Sequence, residues 1–339
     1  MRYFLILLTA ACLMSTGCSE PNPSSSAVTV EIVETGSGYQ LLRAGEPYTV
    51  KGAGMGIDDI ERFASHGGNS IRTWSTNRPQ QDTRALLDSA HAHGVTVALG
   101  LGMVPERHGF DYDDPEAVAE QLETMRAEVL QYRDHPALLL WVIGNELNHH
   151  YTNPRVYDAV NQVAEMIDDL DPYHPTTTTT SGYKPEVNAE ILARAPALDF
   201  ISFQMYGTLF GLRELLAETG YDKPFMVTEW GAIGWWEMDK TDWGIAFETT
   251  SSEKADAFQR AMDDVLIPLE GQLIGSYAFF WGQKQERTPT WYGMFLESGE
   301  ETETVDAMHY VWSGEWPENR CPEMRSFTLN GKTGFDNIT

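Results

Sequence analysis

The fold class this sequence predicts is α/β, a closed (β/α)8 barrel, and three observations predict it. Strand-like and helix-like patterns alternate along most of the chain from residue 52 onward, the signature of βα units around a parallel sheet. The alternation gives eight strands and eight helices, the count of a closed barrel. Two apolar runs, LLLWVIGNELN at Leu138 to Asn148 and PFMVTEWG at Pro224 to Gly231, each stop abruptly at a carboxylate. A strand buried on both faces reads as a continuous apolar run, and an acid placed where the run stops sits at the barrel's C-terminal mouth. An open doubly wound sheet would need a topological switch point and usually a phosphate loop, and neither is evident.

In order, Tyr39 to Gly52 reads as two short strands around a turn at Ala44-Gly45, entering a Gly-rich first barrel strand, Gly52 to Gly56. A helix over 57–66 ends at Gly67-Gly68, a stop signal. NSIRTWS (69–75) is strand two, 81–93 a helix capped by Gly94, and VTVALGLGM (95–103) strand three. A long amphipathic helix covers 115–132. Strand four is the first of the two apolar runs, followed by a helix over 154–170 that opens on a proline suited to a first turn. Five consecutive threonines, 176–180, have the look of low complexity, yet β-branched residues bounded by Pro175 and Gly182 make a short strand the better reading. Helix 187–195, strand six at DFISFQMY (199–206) and helix 212–219 lead to strand seven, the second apolar run. A helix over 253–269, strand eight at QLIGSYAFFW (272–281) and a helix over 304–311 close the barrel.

The chain has 339 residues, and barrels of about 250 residues form one unit. A formal charge of -27 excludes a nucleic-acid or anionic-membrane surface, both of which need clustered cations. A neutral polymer or small molecule suits it better. Residues 1–17 read as a signal peptide: Arg2 supplies the positive start, and the apolar run from Phe4 to Met14 is too short to span a bilayer. Ser15-Thr16-Gly17-Cys18 resembles a bacterial lipobox, with Ser15 in place of the usual Leu. That resemblance implies lipidation at Cys18, a tether over 18–30, and an exported lipoprotein anchored to a membrane in the periplasm or at the cell surface, with plain secretion as the alternative. The barrel with its N-terminal hairpin then occupies 31–316, and 317–339 is an extension or the start of a β-module. Cys321 is left alone, so no disulfide framework is expected.

Glu146 and Glu229 are the candidate catalytic residues. A lone Glu ending a strand is ordinarily a surface or ion-paired residue. Two of them at the ends of strands four and seven face one mouth, and paired carboxylates there suit glycosidic cleavage, one holding a proton and the other ionised. HPALLLWVIGNE (135–146) resembles the acid/base segment of glycoside hydrolase clan A, closest to the family 2 catalytic domain with family 5 related, and VTEWG (227–231) resembles the clan's nucleophile segment. The resemblance implies a retaining double displacement with Glu146 as acid/base and Glu229 as nucleophile. It further implies that Asn145 bonds the sugar 2-hydroxyl, that Arg72 holds the nucleophile ionised, that Tyr206 contacts the nucleophile and that Trp281 floors the sugar site. Where many family 5 members place a His two residues before that tyrosine, this chain has Gln204.

Trp230, Trp235, Trp236 and Trp243 crowd the stretch after strand seven, and sugar C–H faces stack on indoles. Core packing accounts for any one of them equally well, but four on one loop favour a subsite platform, which Trp291 and Tyr292 extend. Glu237, Asp239 and Asp242 are candidates for sugar hydroxyls or a plain solvated loop. His149-His150 follows Glu146, yet no metal-ligand spacing appears, so neither a metal nor another cofactor is expected. The resulting expectation is a retaining β-glycosidase acting on a neutral β-linked oligo- or polysaccharide, β-glucan first. A β-glucanosyltransferase with the same residues and a non-catalytic glycan-binding lipoprotein are the alternatives.

Overall fold

The computed structural model describes residues 26–76, 82–322, 326, 328–329 and 331–333. The signal-peptide and lipobox readings, Cys18 included, lie outside the described residues. Among the described residues no helix is long and apolar enough to cross a membrane.

Three strands, β1 (Val30–Thr35), β2 (Gly38–Arg43) and β3 (Glu46–Pro47), form an antiparallel sheet ahead of the barrel. The turn at Ala44-Gly45 is where the sequence predicts it, whereas β1 is an addition. That sheet underlies the N-terminal end of the barrel. Val30 N–H bonds the Tyr173 carbonyl at 2.8 Å, Tyr39 N–H bonds Gly271 at 2.5 Å, and the Arg43 guanidinium reaches the Pro136 carbonyl at 2.7 Å.

The barrel is closed and made of β4 (Gly52–Gly54), β5 (Ser70–Arg72), β6 (Thr96–Leu101), β7 (Leu138–Ile143), β8 (Thr176–Ser181), β9 (Phe200–Gln204), β10 (Phe225–Gly231) and β11 (Leu273–Phe279), with β11 pairing back onto β4. All eight run parallel. The helices are α1 (Ile60–Ser65), α2 (Thr83–Ala92), α3 (Pro115–Tyr132), α4 (Arg155–Leu170), α5 (Pro185–Arg194), α6 (Leu212–Thr219), α7 (Ser251–Arg260) and α8 (Glu303–Ser313). The predicted fold class is therefore the observed one.

Alternation along the strands divides the apolar residues into two cores. On β7, Leu138, Trp141 and Ile143 pack outward with the helices, while Leu139, Leu140 and Val142 join Ala98, Met226 and Tyr277 in a separate inner cluster with Leu41 and Val50 from below, the alternation being interrupted at Leu139 where the register against β6 slips. The five threonines are strand, as expected, and almost fully buried. Thr177 pairs its hydroxyl with Ser202 at 2.9 Å and Thr179 with Thr228 at 2.7 Å, so burial leaves these hydroxyls bonded.

Two helices differ from the sequence expectation. α1 starts at Ile60, because Asp59 before it takes a left-handed backbone (φ 66). The helix expected over 253–269 is α7, begun by a capping box between Thr250 and Glu253, then a π-helical turn over Ala261–Leu266 and a 3-10 turn at Ile267–Leu269. Pro268 brings no backbone N–H there, which ends regular helix. Beyond α8, Cys321 N–H bonds Asp306 at 2.7 Å, and Thr328–Leu329 pairs antiparallel with Lys332–Thr333.

Candidate active site

The first carboxylate is presented by a sharp departure from β7. Gly144 (φ 72) and Glu146 (φ 48) both take left-handed backbone, a conformation that a non-glycine residue holds only where its surroundings enforce it. Here Glu146 N–H is tied to the Thr179 carbonyl at 3.0 Å and its own carbonyl accepts from Arg107, on the 3-10 turn after β6, and from His149 N–H at 3.0 Å.

The second carboxylate owes its direction to an irregularity in β10. Met226 and Thr228 face the barrel interior, and strict alternation would turn Glu229 outward. The register of β10 against both neighbours slips between Val227 and Trp230, and such a bulge re-aims side chains. Glu229 consequently points into the mouth, and Trp230 points out onto Phe258 of α7, ring centroids 5.4 Å apart.

Three donors converge on Glu229. Arg72 and Trp74 Nε1 (2.6 Å) both bond Oε1, and Tyr206 O–H bonds Oε2 at 2.8 Å. One of the three is a permanent cation, a set suited to an anionic acceptor. Arg72 is wholly buried, lies over the Trp74 ring, and sends its other terminal nitrogen to Asn145 Oδ1 at 2.5 Å. Gln204 Nε2 donates to the same oxygen at 2.7 Å.

The two carboxyl groups occupy unlike environments. Burial, then the negative charge of Glu229, raises the Glu146 pKa to about 7, against the opposing pull of Arg107 and Arg72. Tyr206 is pushed well above its ordinary value by burial and by Glu229, which keeps it a donor. The mouth thus holds a carboxyl that can carry a proton near neutrality beside one encircled by donors.

The aromatic candidates separate. Trp236 stands half exposed with its ring 5.5 Å from Tyr206, and Trp235 meets it edge to face. Trp230 and Trp281 are elsewhere. Both are about 1% exposed, and Trp281 packs among Phe63, Phe295 and Trp312, on the helix side of the barrel wall. The aromatic at the mouth on β11 is instead Phe279, which packs against Trp74, Tyr206 and Tyr292. Trp243 is the most exposed of the set, and Trp291 is buried with its N–H on the Ile233 carbonyl. Glu237 is occupied by backbone: it accepts from the N–H groups of Gly207, Thr208 and Gly234 at 2.8 to 2.9 Å, tying this loop to the turn after β9.

Trp74, Arg107, Gln204 and Phe279 are site residues to which the sequence alone assigned no role. Trp74 was legible, since it is two residues past Arg72 and shares its face. Arg107 arrives on an irregular loop and carries no periodic signal. His149 and His150 are exposed, their rings 4.2 Å apart, and among the described residues no group of three or more His, Cys, Asp or Glu side chains is placed to hold a metal ion.

Fold and site together define the class: a (β/α)8 barrel with a carboxylate pair at its C-terminal mouth. Residues 81–241, which carry both glutamates, match the family model described as glycosyl hydrolases family 2, TIM barrel domain. The resemblance read from the two motifs is borne out. No curated protein matches the chain. Among solved structures, Bifidobacterium dentium β-glucuronidase complexed with coumarin-3-O-glucuronide is similar at 17% identity and TM-score 0.63, covering 85% of this chain and 49% of that one. Bacteroides uniformis β-glucuronidase is similar at 16% identity and TM-score 0.63, covering 84% and 37%. Ruminococcus gnavus β-glucuronidase is similar at 16% identity and TM-score 0.61, covering 85% and 54%. The chain thus spans about half or less of the length of these structures.

Proposed function

We propose that the protein is a retaining β-glycoside hydrolase with Glu146 as general acid/base and Glu229 as nucleophile. The observation that carries this reading is the contrast between the two: a Glu146 whose pKa is raised to about 7, and a Glu229 held by Arg72, Trp74 and Tyr206. In the first step a Glu229 oxygen attacks the anomeric carbon while the Glu146 proton passes to the glycosidic oxygen. The C–O bond breaks, the aglycone leaves as an alcohol, and a glycosyl ester remains on Glu229. In the second step the Glu146 carboxylate takes a proton from water as that water attacks the same carbon and frees Glu229 with net retention. Asn145 offers its amide to the 2-hydroxyl, and Phe279 and Trp236 supply apolar faces.

The favoured substrate is a neutral β-glycan, β-glucan first, in keeping with the -27 charge. One observation supports a second reading, a β-glucuronide like the substrates of the structural relatives. Lys284 Nζ, paired with Glu286 at 3.4 Å, lies 5.4 Å from the Phe279 ring centroid, and Arg287 stacks on Trp235 at 3.6 Å, so two cations border the aromatic wall. Comparing 4-nitrophenyl β-glucoside, β-mannoside, β-galactoside and β-glucuronide separates the readings, and NMR of the first-formed anomer tests retention. Turnover of none of them, nor of soluble β-glucans, would sink the proposal. The reading extends to an exported lipoprotein anchored through Cys18, which intact-mass measurement of the membrane fraction tests by the presence or absence of a diacylglyceryl addition.

A further inference from the structure

We infer that Gln204 is a positioning residue that, together with Arg72, holds the Asn145 amide in place with its NH2 end toward the sugar, and thereby sets the demand for a free 2-hydroxyl on the substrate. The inference rests on the retaining-glycosidase reading above. Asn145 Oδ1 accepts from Arg72 at 2.5 Å and from Gln204 Nε2 at 2.7 Å. A guanidinium has no acceptor, so the Arg72 contact can be made only by the oxygen end of the Asn145 amide. Gln204 must then turn its own NH2 toward that oxygen, since the opposite orientation would set two carbonyl oxygens against each other.

That orientation has a cost visible in the structure. Gln204 is 3% exposed, and its Oε1 is buried without a hydrogen-bond partner among the described residues. An unpaired buried acceptor is destabilising and is rarely kept without a compensating role. Holding Asn145 is such a role. With Oδ1 pinned from two sides, Nδ2 of the half-buried Asn145 is the end left to face a ligand, and it can donate to a hydroxyl oxygen. Gln204 is placed for this by register, opposite Glu229 on β10 and Ser181 on β8, in the same layer of the mouth as the nucleophile.

The test uses the full chain and a matched pair of substrates: the aryl β-glycoside it turns over fastest and its 2-deoxy counterpart. Gln204→Leu is expected to melt at or above the wild-type temperature, because it removes the unpaired acceptor. It should lose about tenfold in kcat/KM on the parent glycoside, the worth of one neutral hydrogen bond, and less than about twofold on the 2-deoxy substrate. Gln204→His, whose ring N–H can again donate to Oδ1, is expected to recover most of the loss, and Gln204→Met serves the same comparison if the leucine branch does not fit. Equal losses on both substrates, or none on the parent, overturn the role of Gln204 while the glycosidase reading stands. Absence of turnover by the wild type on every β-glycoside overturns both.

Discussion

Arg72 bonds Glu229 with one terminal nitrogen and Asn145 with the other, so a single wholly buried cation sets the spacing between a residue at the end of β10 and one just beyond β7. A lysine carries the charge but only as a point, and cannot bridge two acceptors in a fixed fork. Arg72→Lys is therefore expected to lower kcat/KM by about 100-fold, the scale of a misplaced reacting group. Loss of kcat with an unchanged circular dichroism spectrum is the measurement that checks it.

The two glutamates should fail differently. Glu229→Ala is expected to abolish hydrolysis and to recover activity in azide with a glycosyl azide of inverted configuration, because the small anion enters from the side the carboxylate vacated. Glu146→Ala should keep turnover mainly on aryl substrates whose leaving groups need no proton. Unchanged kinetics in either variant would contradict the assignment.

The pKa of about 7 at Glu146 sets the alkaline limb of activity, which should fall as pH rises through that value and the acid loses its proton. The same shift has a sign for stability. The folded-state value lies above that of a solvated carboxyl, so between roughly pH 4.3 and 7 the folded state binds more protons than the unfolded one and stability declines with rising pH. Glu146→Gln removes that decline. Its melting temperature should gain on wild type at pH 8 relative to pH 5, and a difference independent of pH would contradict the raised value.

Phe279 and Trp281 should exchange the effects that their residue types invite. Trp281→Ala hollows the packing with Phe63, Phe295 and Trp312 and is expected to cost about 3–5 kcal/mol in urea unfolding, with kcat/KM of the folded fraction unchanged. Phe279→Ala should raise KM with a smaller stability loss.

Glu237→Ala frees the N–H groups of Gly207, Thr208 and Gly234. The expected result is faster proteolytic cutting within residues 232–250 and a higher KM for oligosaccharides than for aryl monosaccharides, since Trp236 rides on that loop. Proteolysis at the wild-type rate would leave the clamp without a function.

The barrel and the position of Glu146 and Glu229 at its mouth could be read directly, because two buried apolar runs that each stop at an acid mark the C-terminal ends of two barrel strands. The threonine strand was equally legible, because β-branched residues between Pro175 and Gly182 have little alternative. Side-chain parity was harder. In QLIGSYAFFW polar Ser276 and apolar Tyr277 to Phe279 are all buried, so polarity does not mark inside from outside, and the sequence points to Trp281 where the mouth holds Phe279. In VTEWG the slip after Val227 reverses which of Glu229 and Trp230 faces in, and a bulge leaves no trace in composition. Arg107 and the second contact of Arg72 belong to loop geometry, which hydrophobic pattern does not encode.

The hydroxyl pairs under the site carry one more consequence. Thr179 and Thr228 are joined by a hydrogen bond in which either hydroxyl can be the donor, and Thr228 directly precedes Glu229 in the chain. In the proposed double displacement negative charge leaves Glu229 for the ester and gathers on Glu146, and hydroxyl hydrogens beneath it can reorient by bond rotation with no heavy atom moving. A barrel floor of leucine would be electrically mute. This one carries rotatable hydroxyl dipoles instead.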